Sequence, residues 1–369
     1  MRKKIVVDCK AISQFTSGIA GYFKPLLLDA LLNFQECHFI LVAPQLFDTS
    51  FLDDFDNWSI KIVKPSVALD SKLGIIIYDF ITYPNALKAI GADYLVSPYY
   101  DFRLPAIYSN KSILTIHDVC YWDAANCYSA RVSYYFKLLF WLNKQKVHSL
   151  ITVSRASYSR ISALFGESVS RKTYIVYNGF DYKDTVMNRS ARLKKDNKIR
   201  LLYTGGIENR KNITTLLDVV EKLNVDRTVL LYITGNNSAK SVLKKSIADR
   251  GLESSIIFTG LLSDEELSNL YSDSDLVINL SLCEGFGRSN LEAIAHKVPL
   301  VCSDLPVFRE IAGAGAFYCD PRDVDSIIKN IDLALLPNSI SEDFDFSKFT
   351  VESANESFIA ILRSLINDV

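Results

Sequence analysis

The chain has 369 residues, more than one compact domain usually organises, so its length predicts two domains. Lysine and arginine total 41 against 42 aspartates and glutamates, a balance that excludes a dedicated binder of nucleic acids. Hydrophobic residues make up 49%, which excludes a disordered chain, and the most apolar stretch, residues 73–83, is far shorter than the ~20 residues of a transmembrane helix.

The N-terminal segment and the cysteines bear on the cellular compartment. Apolar residues run only from Ile5 to Val7 before Asp8, too few for the core of a secretory signal. The seven cysteines are odd in number and include no Cys-x-x-Cys pair, and no histidine stands at metal-ligand spacing. These features predict a cytoplasmic protein with reduced thiols and with no metal or other cofactor.

The N-terminal half alternates short β-rich runs with helical patterns. Strands are predicted at residues 5–7, 39–43, 60–63, 94–97, 113–116, 151–153 and 174–177. A segment from Gly18 to Gly21 leads into a helix that continues through Leu32. Residues 183–200 carry seven basic and two acidic residues without apolar periodicity, which is typical of a linker. We therefore predict a first domain at 1–182 and a linker at 183–198.

The C-terminal half repeats this alternation with shorter connections. Strands are predicted at residues 199–204, 229–234, 256–259, 276–280, 300–303 and 316–319. Ser263 and Glu266 form a capping box that starts one of the intervening helices. The alternation predicts a parallel, doubly wound sheet with ligands at the carboxyl ends of its strands, in a second domain at 199–345. The last segment, 346–369, is predicted as a helix that could return to the first domain.

Two glutamates follow the strand predicted at 276–280. The stretch from Ser281 reads Ser-Leu-Cys-Glu-Gly-Phe-Gly-Arg-Ser-Asn-Leu-Glu, a glycine-containing loop that enters a helix, and such loops present backbone N–H groups to anions. We assign Glu284 to the loop and Glu292 to the first helical turn, with both carboxylates directed at one ligand. The alternative is that Ser289 and Glu292 form a capping box and that Glu292 is structural.

Further candidates for ligand binding lie at other predicted strand ends. Arg210 and Lys211 follow a strand and a Gly-Gly turn and precede a helix, so they suit a diphosphate, although adjacent surface charges without a role are common. His117 and Asp118 end the run 112–116, where open α/β sheets bind ligands, although a single histidine is more often structural.

Several of these motifs together resemble one protein family. Glu284-Gly-Phe-Gly, Glu292-Ala, Pro299-Leu-Val and Pro306-x-x-x-Glu310 resemble the E-x7-E signature of the retaining nucleotide-sugar glycosyltransferases of family 4, in particular its mannosyltransferase-like members. Further similar motifs occur in the expected order, namely Ser17-Gly-Ile-Ala-Gly-Tyr22, Leu114-Thr-Ile-His117-Asp118, Ile151-Thr-Val-Ser154, Val176-Tyr-Asn178-Gly179 and Tyr203-Thr-Gly-Gly206 with Arg210-Lys211-Asn212. The resemblance implies the α/β fold named GT-B, in which two Rossmann-like domains face a central cleft.

The resemblance also implies roles for individual residues. Glu284 would contact the donor sugar, Glu292 the ribose, and His117 the donor sugar from the first domain, with Asp118 orienting His117 or binding acceptor. Arg210 and Lys211 would neutralise the departing diphosphate. The remaining expected donor contacts come from backbone groups: Gly206, Gly285, Phe286 and Gly287 in the second domain, and the phosphate loop at Gly18 and Gly21 in the first.

The activity implied by the resemblance is transfer of a hexose from a nucleoside-diphosphate sugar to a hydroxyl of a glycan. The acceptor is expected to be lipid-linked, in bacterial surface polysaccharide biosynthesis such as that of O-antigen or capsule, with GDP-mannose slightly favoured over a UDP-hexose as donor. The alternatives are a nucleotide-sugar 2-epimerase and a non-catalytic nucleotide-sugar-binding protein. The non-catalytic alternative is suggested by Arg288-Ser289-Asn290, where many relatives have Leu-Pro.

Two segments have competing interpretations. Asp273-Ser-Asp275 imitates the metal-binding D-x-D of another glycosyltransferase architecture, but relatives place an aspartate there in a turn before a strand, so we interpret it as structural. The aromatic and basic segment Arg131 to Lys146 either lies on an anionic membrane surface or is an ordinary helix packing Tyr135, Leu138, Leu139 and Leu142 on the sheet.

Overall fold

The computed structural model describes residues 2–10, 18–65, 77–99, 111–123, 127–128, 130–181, 197–235, 240–337, 339 and 344–367. Residues 183–196 of the predicted linker lie outside the described residues. The chain forms two compact units: one of Met1–Val119, Arg131–Gly179 and Lys348–Val369, the other of Cys120–Ala130 and Phe180–Ser347.

The first unit contains a parallel sheet of seven described strands. The strands are β1 Lys3–Asp8, β2 Cys37–Ala43, β3 Trp58–Ile62, β4 Tyr94–Ser97, β5 Ser112–Ile116, β6 Ser149–Thr152 and β7 Thr173–Ile175. They lie in the order β3-β2-β1-β4-β5-β6-β7. Residues of β4 and β5 are buried throughout, as expected for strands that helices cover on both faces.

The helices of the first unit connect these strands or follow them. They are α1 Gly18–Asn33, a π-helical turn Tyr78–Thr82 continuing into α2 Tyr83–Ile90, α4 Ala130–Asn143, α5 Arg155–Phe165, α6 Glu167–Ser170 and the C-terminal α13 Val351–Asn367; α3, Cys120–Asp123, belongs to the second unit. α13 packs on α1, where Phe23 and Phe358 meet edge to face with ring centroids 6.0 Å apart. Lys3 Nζ donates to the carbonyl of Ile366 over 2.7 Å, placing a cation at the negative end of α13.

The second unit contains a parallel sheet of six described strands. They are β8 Lys198–Thr204, β9 Thr228–Thr234, β10 Ile256–Gly260, β11 Leu276–Asn279, β12 Leu300–Ser303 and β13 Phe317–Cys319, in the order β10-β9-β8-β11-β12-β13. Its further helices are α7 Ile213–Leu223, α8 Lys240–Asp249, α9 Asp264–Asp273, α10 Arg288–Ala295, α11 Pro306–Ala312 and α12 Val324–Ala334. One face of α7 packs Leu216, Leu217 and Val220 into the core under β8 and β9.

Both sheets follow the strand order of a Rossmann fold, which confirms the predicted class of two doubly wound α/β units. The predicted capping box is present, since the Ser263 side chain accepts from the Glu266 N–H and Glu266 accepts from the N–H of Ser263. Among the residues described, no helix combines the length and the apolar character required to cross a membrane.

Of the two alternatives for α4, the one that packs Tyr135, Leu138, Leu139 and Leu142 on the sheet is wrong. Leu138 and Leu142 are 40% and 51% exposed, whereas Phe140 is buried. The helix therefore turns the face predicted to be internal toward solvent. Apolar residues occur on most of its circumference, so the sequence does not decide which of them the sheet covers.

Candidate functional site

The candidate donor site of the second unit lies where its strand order reverses. β8 and β11 are neighbours in the sheet, with Leu276 paired to Leu201, but the chain leaves their carboxyl ends in opposite directions. From β8 it runs through Gly205 and Gly206 into a 3-10 turn, Asn209–Lys211. From β11 it runs through residues 280–287 into α10. Open α/β sheets bind ligands at such a switch point.

Arg210, Lys211 and Glu284 meet at this point. Lys211 Nζ lies 2.5 Å from Glu284 Oε1, and Arg210 Nη1 lies 2.9 Å from Glu284 Oε2. The side chains are only 18%, 16% and 11% exposed in the order Arg210, Lys211, Glu284. The two segments are also joined by the backbone, because the N–H of Leu282 donates to the carbonyl of Arg210 over 2.8 Å. The three charged residues named by the sequence therefore form one cluster.

The cations determine the ionisation of Glu284. Burial alone would raise the pKa of this carboxyl, but the charges of Lys211 and Arg210, with hydrogen bonds from Lys211 and Ser281, hold the pKa below its usual value of 4.5. Glu284 is therefore ionised at neutral pH and can only accept hydrogen bonds. Arg210 also pairs with Glu208 over 2.8 Å, so two cations and two carboxylates balance in this cluster.

Glu292 lies on α10 and has different partners. Tyr271 donates its hydroxyl to Glu292 Oε2 over 2.8 Å, and Arg288 Nε lies 3.1 Å from Glu292 Oε1. The alternative capping box is wrong, because the N-cap residue of α10 is Gly287, not Ser289. Glu292 is the fifth residue of the helix, just beyond the first turn in which it was predicted.

Two glycines fit backbone positions that a side chain would strain. Gly287 has a φ of +103°, and a Cβ there would lie 2.7 Å from Cε1 of Phe308. Gly205 has a φ of +143°, with Lys211 Nζ 3.7 Å from the position of a Cβ. The Gly206 carbonyl accepts a hydrogen bond from the Tyr203 hydroxyl over 2.9 Å. Gly285 and Phe286 are buried. The backbone can therefore approach closely around the charged cluster.

In the first unit His117 follows β5 and is held by two contacts. Its Nε2 lies 2.7 Å from the carbonyl of Pro98, which can only accept, so Nε2 carries the proton. The ring of Tyr22, on α1, meets the imidazole edge to face at 5.1 Å. Burial lowers the pKa of His117 to about 4, although the bond to Pro98 opposes this. His117 is therefore neutral, with Nδ1 as a hydrogen-bond acceptor, and Asp118 follows it, partly buried.

The predicted phosphate loop differs from the structure. Gly18 and Gly21 are the first and fourth residues of α1 and not a loop that precedes it. A Cβ at Gly18 would meet nothing within 4 Å. Residues 18–33 are mostly apolar, and two glycines alone do not prevent a helical turn.

The prediction that all seven thiols are reduced is wrong, since Cys120 and Cys283 form a disulfide across a sequence separation of 163. Cys120 and Cys283 both belong to the second unit, and Cys283 directly precedes Glu284. The described free cysteines are Cys9, Cys37, Cys127, Cys302 and Cys319. Sequence spacing could not reveal this pair because it arises only when distant segments meet.

The D-x-D sequence has a structural position. Asp275 Oδ2 accepts the backbone N–H of Arg200 over 2.8 Å, and the Asp275 N–H donates to the Arg200 carbonyl over 2.9 Å. Asp275 thus joins the starts of β11 and β8. Within the described part of the chain no group of three or more His, Cys, Asp or Glu residues is placed to hold a metal ion.

Sequence reasoning missed the polar residues beneath the cluster. Ser281 Oγ lies 3.0 Å from Glu284 Oε1 and 2.9 Å from Oδ1 of Asn279, and both residues are buried. Tyr271 was also missed. The available signal for Asn279 and Ser281 was two polar residues at the end of an otherwise apolar strand, where a ligand or a buried hydrogen-bond network is required.

Comparison with known proteins relates the second half of the chain to one family. Residues 186–345, which contain Arg210, Lys211, Glu284 and Glu292, match the model of the family Glycosyl transferases group 1. The whole chain has the GT-B fold. It superimposes on Anabaena HepE in complex with UDP and glucose with a TM-score of 0.70 at 16% identity, covering 99% of this chain and 100% of that one.

Individual relatives are more specific. The chain is 29% identical over 231 residues to the O-antigen chain mannosyltransferase RfbU of Salmonella typhimurium, covering 62% of each chain. It is 30% identical over 245 residues to O-antigen chain mannosyltransferase B of Escherichia coli, covering 63% of each chain. The matches therefore span somewhat less than two thirds of these relatives.

Proposed function

We propose that the protein is a retaining, metal-independent glycosyltransferase that transfers a hexose from a nucleoside-diphosphate sugar to a hydroxyl of a lipid-linked glycan in surface polysaccharide biosynthesis. The observation that carries this proposal is the Arg210–Lys211–Glu284 cluster at the switch point between β8 and β11. The cluster lies within the stretch that matches the glycosyltransferase family, and the two relatives described above are O-antigen mannosyltransferases.

The chemistry of the cluster suits a nucleotide-sugar donor. Arg210 and Lys211 would bind the diphosphate and stabilise the negative charge that it gains as the glycosidic bond breaks. Glu284, ionised and aprotic, would accept hydrogen bonds from hydroxyls of the donor sugar. Glu292 would accept from the ribose hydroxyls. A metal ion is not required in this scheme because the two cations supply the positive charge.

Transfer with retention is assigned to a front-face route. A covalent intermediate would require a carboxylate nucleophile. Both oxygens of Glu284 are paired with cations, which lowers the nucleophilicity of this carboxylate, so we assign no covalent intermediate. The leaving phosphate would take the acceptor proton as the new bond forms on the same face. The first unit would supply acceptor contacts and neutral His117, whose Nδ1 accepts a hydrogen bond from a donor-sugar hydroxyl.

The decisive experiment compares Lys211→Ala with Lys222→Ala. Lys222 is a matched control because it also pairs with a carboxylate, Asp325, on the surface of the same unit. With a lipid-linked glycan acceptor, we expect kcat/KM to fall about 100-fold or more in Lys211→Ala and to stay near wild type in Lys222→Ala. Equal activity in Lys211→Ala and the wild type, both folded, would refute the assignment.

The donor is proposed to be GDP-mannose, with a UDP-hexose as the second candidate. The relatives are mannosyltransferases, whereas the HepE structure holds UDP and glucose. A thermal-shift series with GDP, UDP and their sugars distinguishes them, since a ligand of the folded state raises Tm. An isomeric sugar nucleotide formed from donor alone would instead identify an epimerase, and donor binding without turnover over an acceptor panel would identify a non-catalytic protein.

We further propose that the protein works at the cytoplasmic face of the membrane, which it contacts through α4. Tyr134, Trp141 and Leu142 on this helix are 69%, 67% and 51% exposed, and Phe80 of the preceding π-helical turn packs against Tyr135 with centroids 6.1 Å apart. Such an apolar stripe, accompanied by basic residues, suits an anionic bilayer surface.

Liposome cosedimentation tests the membrane contact. We expect the wild type to bind vesicles that contain anionic lipid at low salt and Trp141→Asp to lose most of this binding. Val225→Asp is a matched control, since Val225 is a comparably exposed apolar residue, 79%, in the second unit. Equal binding by the wild type and Trp141→Asp would contradict the proposal.

A further inference from the structure

A buried polar network lies directly beneath Glu284. It consists of Asn279 at the end of β11, Ser281 two residues later, and Ser289 and Asn290 in the first turn of α10. Ser281 and Asn290 are fully buried and Asn279 is 5% exposed. Burial of polar groups is unfavourable unless they are hydrogen-bonded. We therefore expect these buried polar residues, which lie next to the ionised Glu284 carboxylate, to have a role in the site.

The orientation of Asn279 follows from its partners. Its amide Nδ2 lies 2.9 Å from Asn290 Oδ1 and 3.2 Å from Ser289 Oγ, so both amide protons are directed toward α10. The carbonyl Oδ1 of Asn279 consequently faces Ser281. It accepts hydrogen bonds from the Ser281 hydroxyl over 2.9 Å and from the Ser281 backbone N–H over 3.4 Å. The amide thus fixes the position of Ser281 relative to the start of α10.

Ser281 has one hydroxyl proton and two acceptors. Oδ1 of Asn279 lies 2.9 Å away and Oε1 of Glu284 lies 3.0 Å away, and neither can donate while Glu284 is ionised. Glu284 Oε1 is also the oxygen bound by Lys211. When a diphosphate attracts Lys211 and Arg210, the carboxylate loses much of its stabilisation from these cations, and the Ser281 hydroxyl is the nearby neutral donor that can turn toward it.

We propose that Ser281 is a positioning residue for Glu284: held by Asn279, its hydroxyl keeps the Glu284 carboxylate ionised and oriented while the two cations bind the donor diphosphate. The proposal rests on the donor-binding role given above to Arg210, Lys211 and Glu284. It assigns Ser281 no contact with substrate. Asn279 also donates to Asn290 of α10, the helix that carries Glu292. The same hydrogen-bond network therefore contacts the positions of both glutamates.

Kinetics of Ser281→Ala and Ser281→Thr test the proposal. We expect Ser281→Ala to lower kcat about 10-fold to 100-fold with little change in the affinity for the nucleoside diphosphate alone. The acidic limb of the pH–rate profile should move to higher pH because Glu284 loses a donor to its ionised form. Ser281→Thr retains the hydroxyl and should restore most of the rate. An unshifted acidic limb and wild-type kcat in folded Ser281→Ala would overturn the proposal.

A stability cycle separates this proposal from the transferase assignment. The dependence of unfolding free energy on pH should change between wild type and Ser281→Ala, but not between Glu284→Gln and the double variant, since a glutamine side chain has no titrating carboxyl. This result does not require turnover, so it stands even where no donor is converted. The same pH-dependent change in both backgrounds would show that Ser281 acts independently of Glu284 and would overturn the proposal.

Discussion

Glu284 holds Lys211 and Arg210 through its two carboxylate oxygens, and a diphosphate would have to attract the same cations. Substrate phosphate and protein carboxylate therefore compete for positive charge. This competition gives the cluster a property that the sequence motif alone does not express, because the motif places Glu284 only beside the sugar.

Removal of the Glu284 charge should separate nucleotide binding from transfer. In Glu284→Gln the two cations lose a competing anion, so we expect nucleoside diphosphate without a sugar to bind about 10-fold more tightly, while sugar transfer is lost. Isothermal titration calorimetry measures the affinity. Glu253→Gln, at a charged surface position of the same unit, is the control and should match the wild type; weaker binding by Glu284→Gln would contradict the expectation.

His117 should make stability depend on pH. Its pKa in the folded protein is about 4, below the ordinary value of 6.5, because the ring is buried. As pH falls from 6.5 the unfolded chain takes up a proton that the folded protein does not, so the free energy of unfolding decreases until about pH 4.

Substitution of His117 checks this sign. In His117→Gln the loss of stability between pH 6.5 and 4 should be smaller than in the wild type, as measured by urea unfolding at several pH values. His148→Gln provides a control histidine in the same unit, partly buried and hydrogen-bonded to Ser149. Curves of equal slope for His117→Gln and the wild type would show that His117 is not held neutral.

At the scale of elements, the start of α10 depends on Gly287. A Cβ at this residue would lie 2.7 Å from Cε1 of Phe308, and the φ of +103° is unfavourable for any residue with an L side chain. α10 carries Glu292 and follows the loop of Glu284, so a shift here would displace both carboxylates.

Two glycine substitutions separate crowding from backbone strain. Gly251 also has a positive φ, +65°, but a Cβ there would meet nothing within 4 Å. We expect Gly287→Ala to destabilise the protein by about 2 kcal/mol or more and Gly251→Ala by about 1 kcal/mol, as measured by chemical denaturation. A smaller loss of unfolding free energy in Gly287→Ala than in Gly251→Ala would contradict this expectation, because it would show that Phe308 can move away from the new Cβ without destabilising the fold.

At the scale of the whole molecule, the Cys120–Cys283 disulfide connects segments from both halves of the sequence within the second unit. A bond across this separation restricts the unfolded chain strongly, and its removal should cost about 3 kcal/mol. Disulfides are rare in the cytoplasm. In that compartment the bond persists only if it resists the thiol pool.

Reductant should therefore lower Tm of the wild type but not of Cys120→Ser, whose Tm should already be low. Cys37→Ser, at a buried free cysteine, is the control and should retain sensitivity to reductant. Mass spectrometry of non-reduced peptides identifies the bond directly. If wild-type protein shown to contain the disulfide has the same Tm with and without reductant, the disulfide does not stabilise the fold.

The sequence by itself determined the class of fold and most strands, because burial on both faces of a parallel sheet requires apolar runs such as residues 300–303, predicted and observed as β12. Local chemistry likewise identified the Ser263–Glu266 cap and the charged residues beside the glycine loops. Only the tertiary structure decided that Glu284 pairs with Arg210 and Lys211, that Ser281 and Asn279 support it, that Cys120 meets Cys283, and which face of α4 is exposed. These outcomes depend on contacts between segments far apart in the chain, and local sequence patterns carry no record of such contacts.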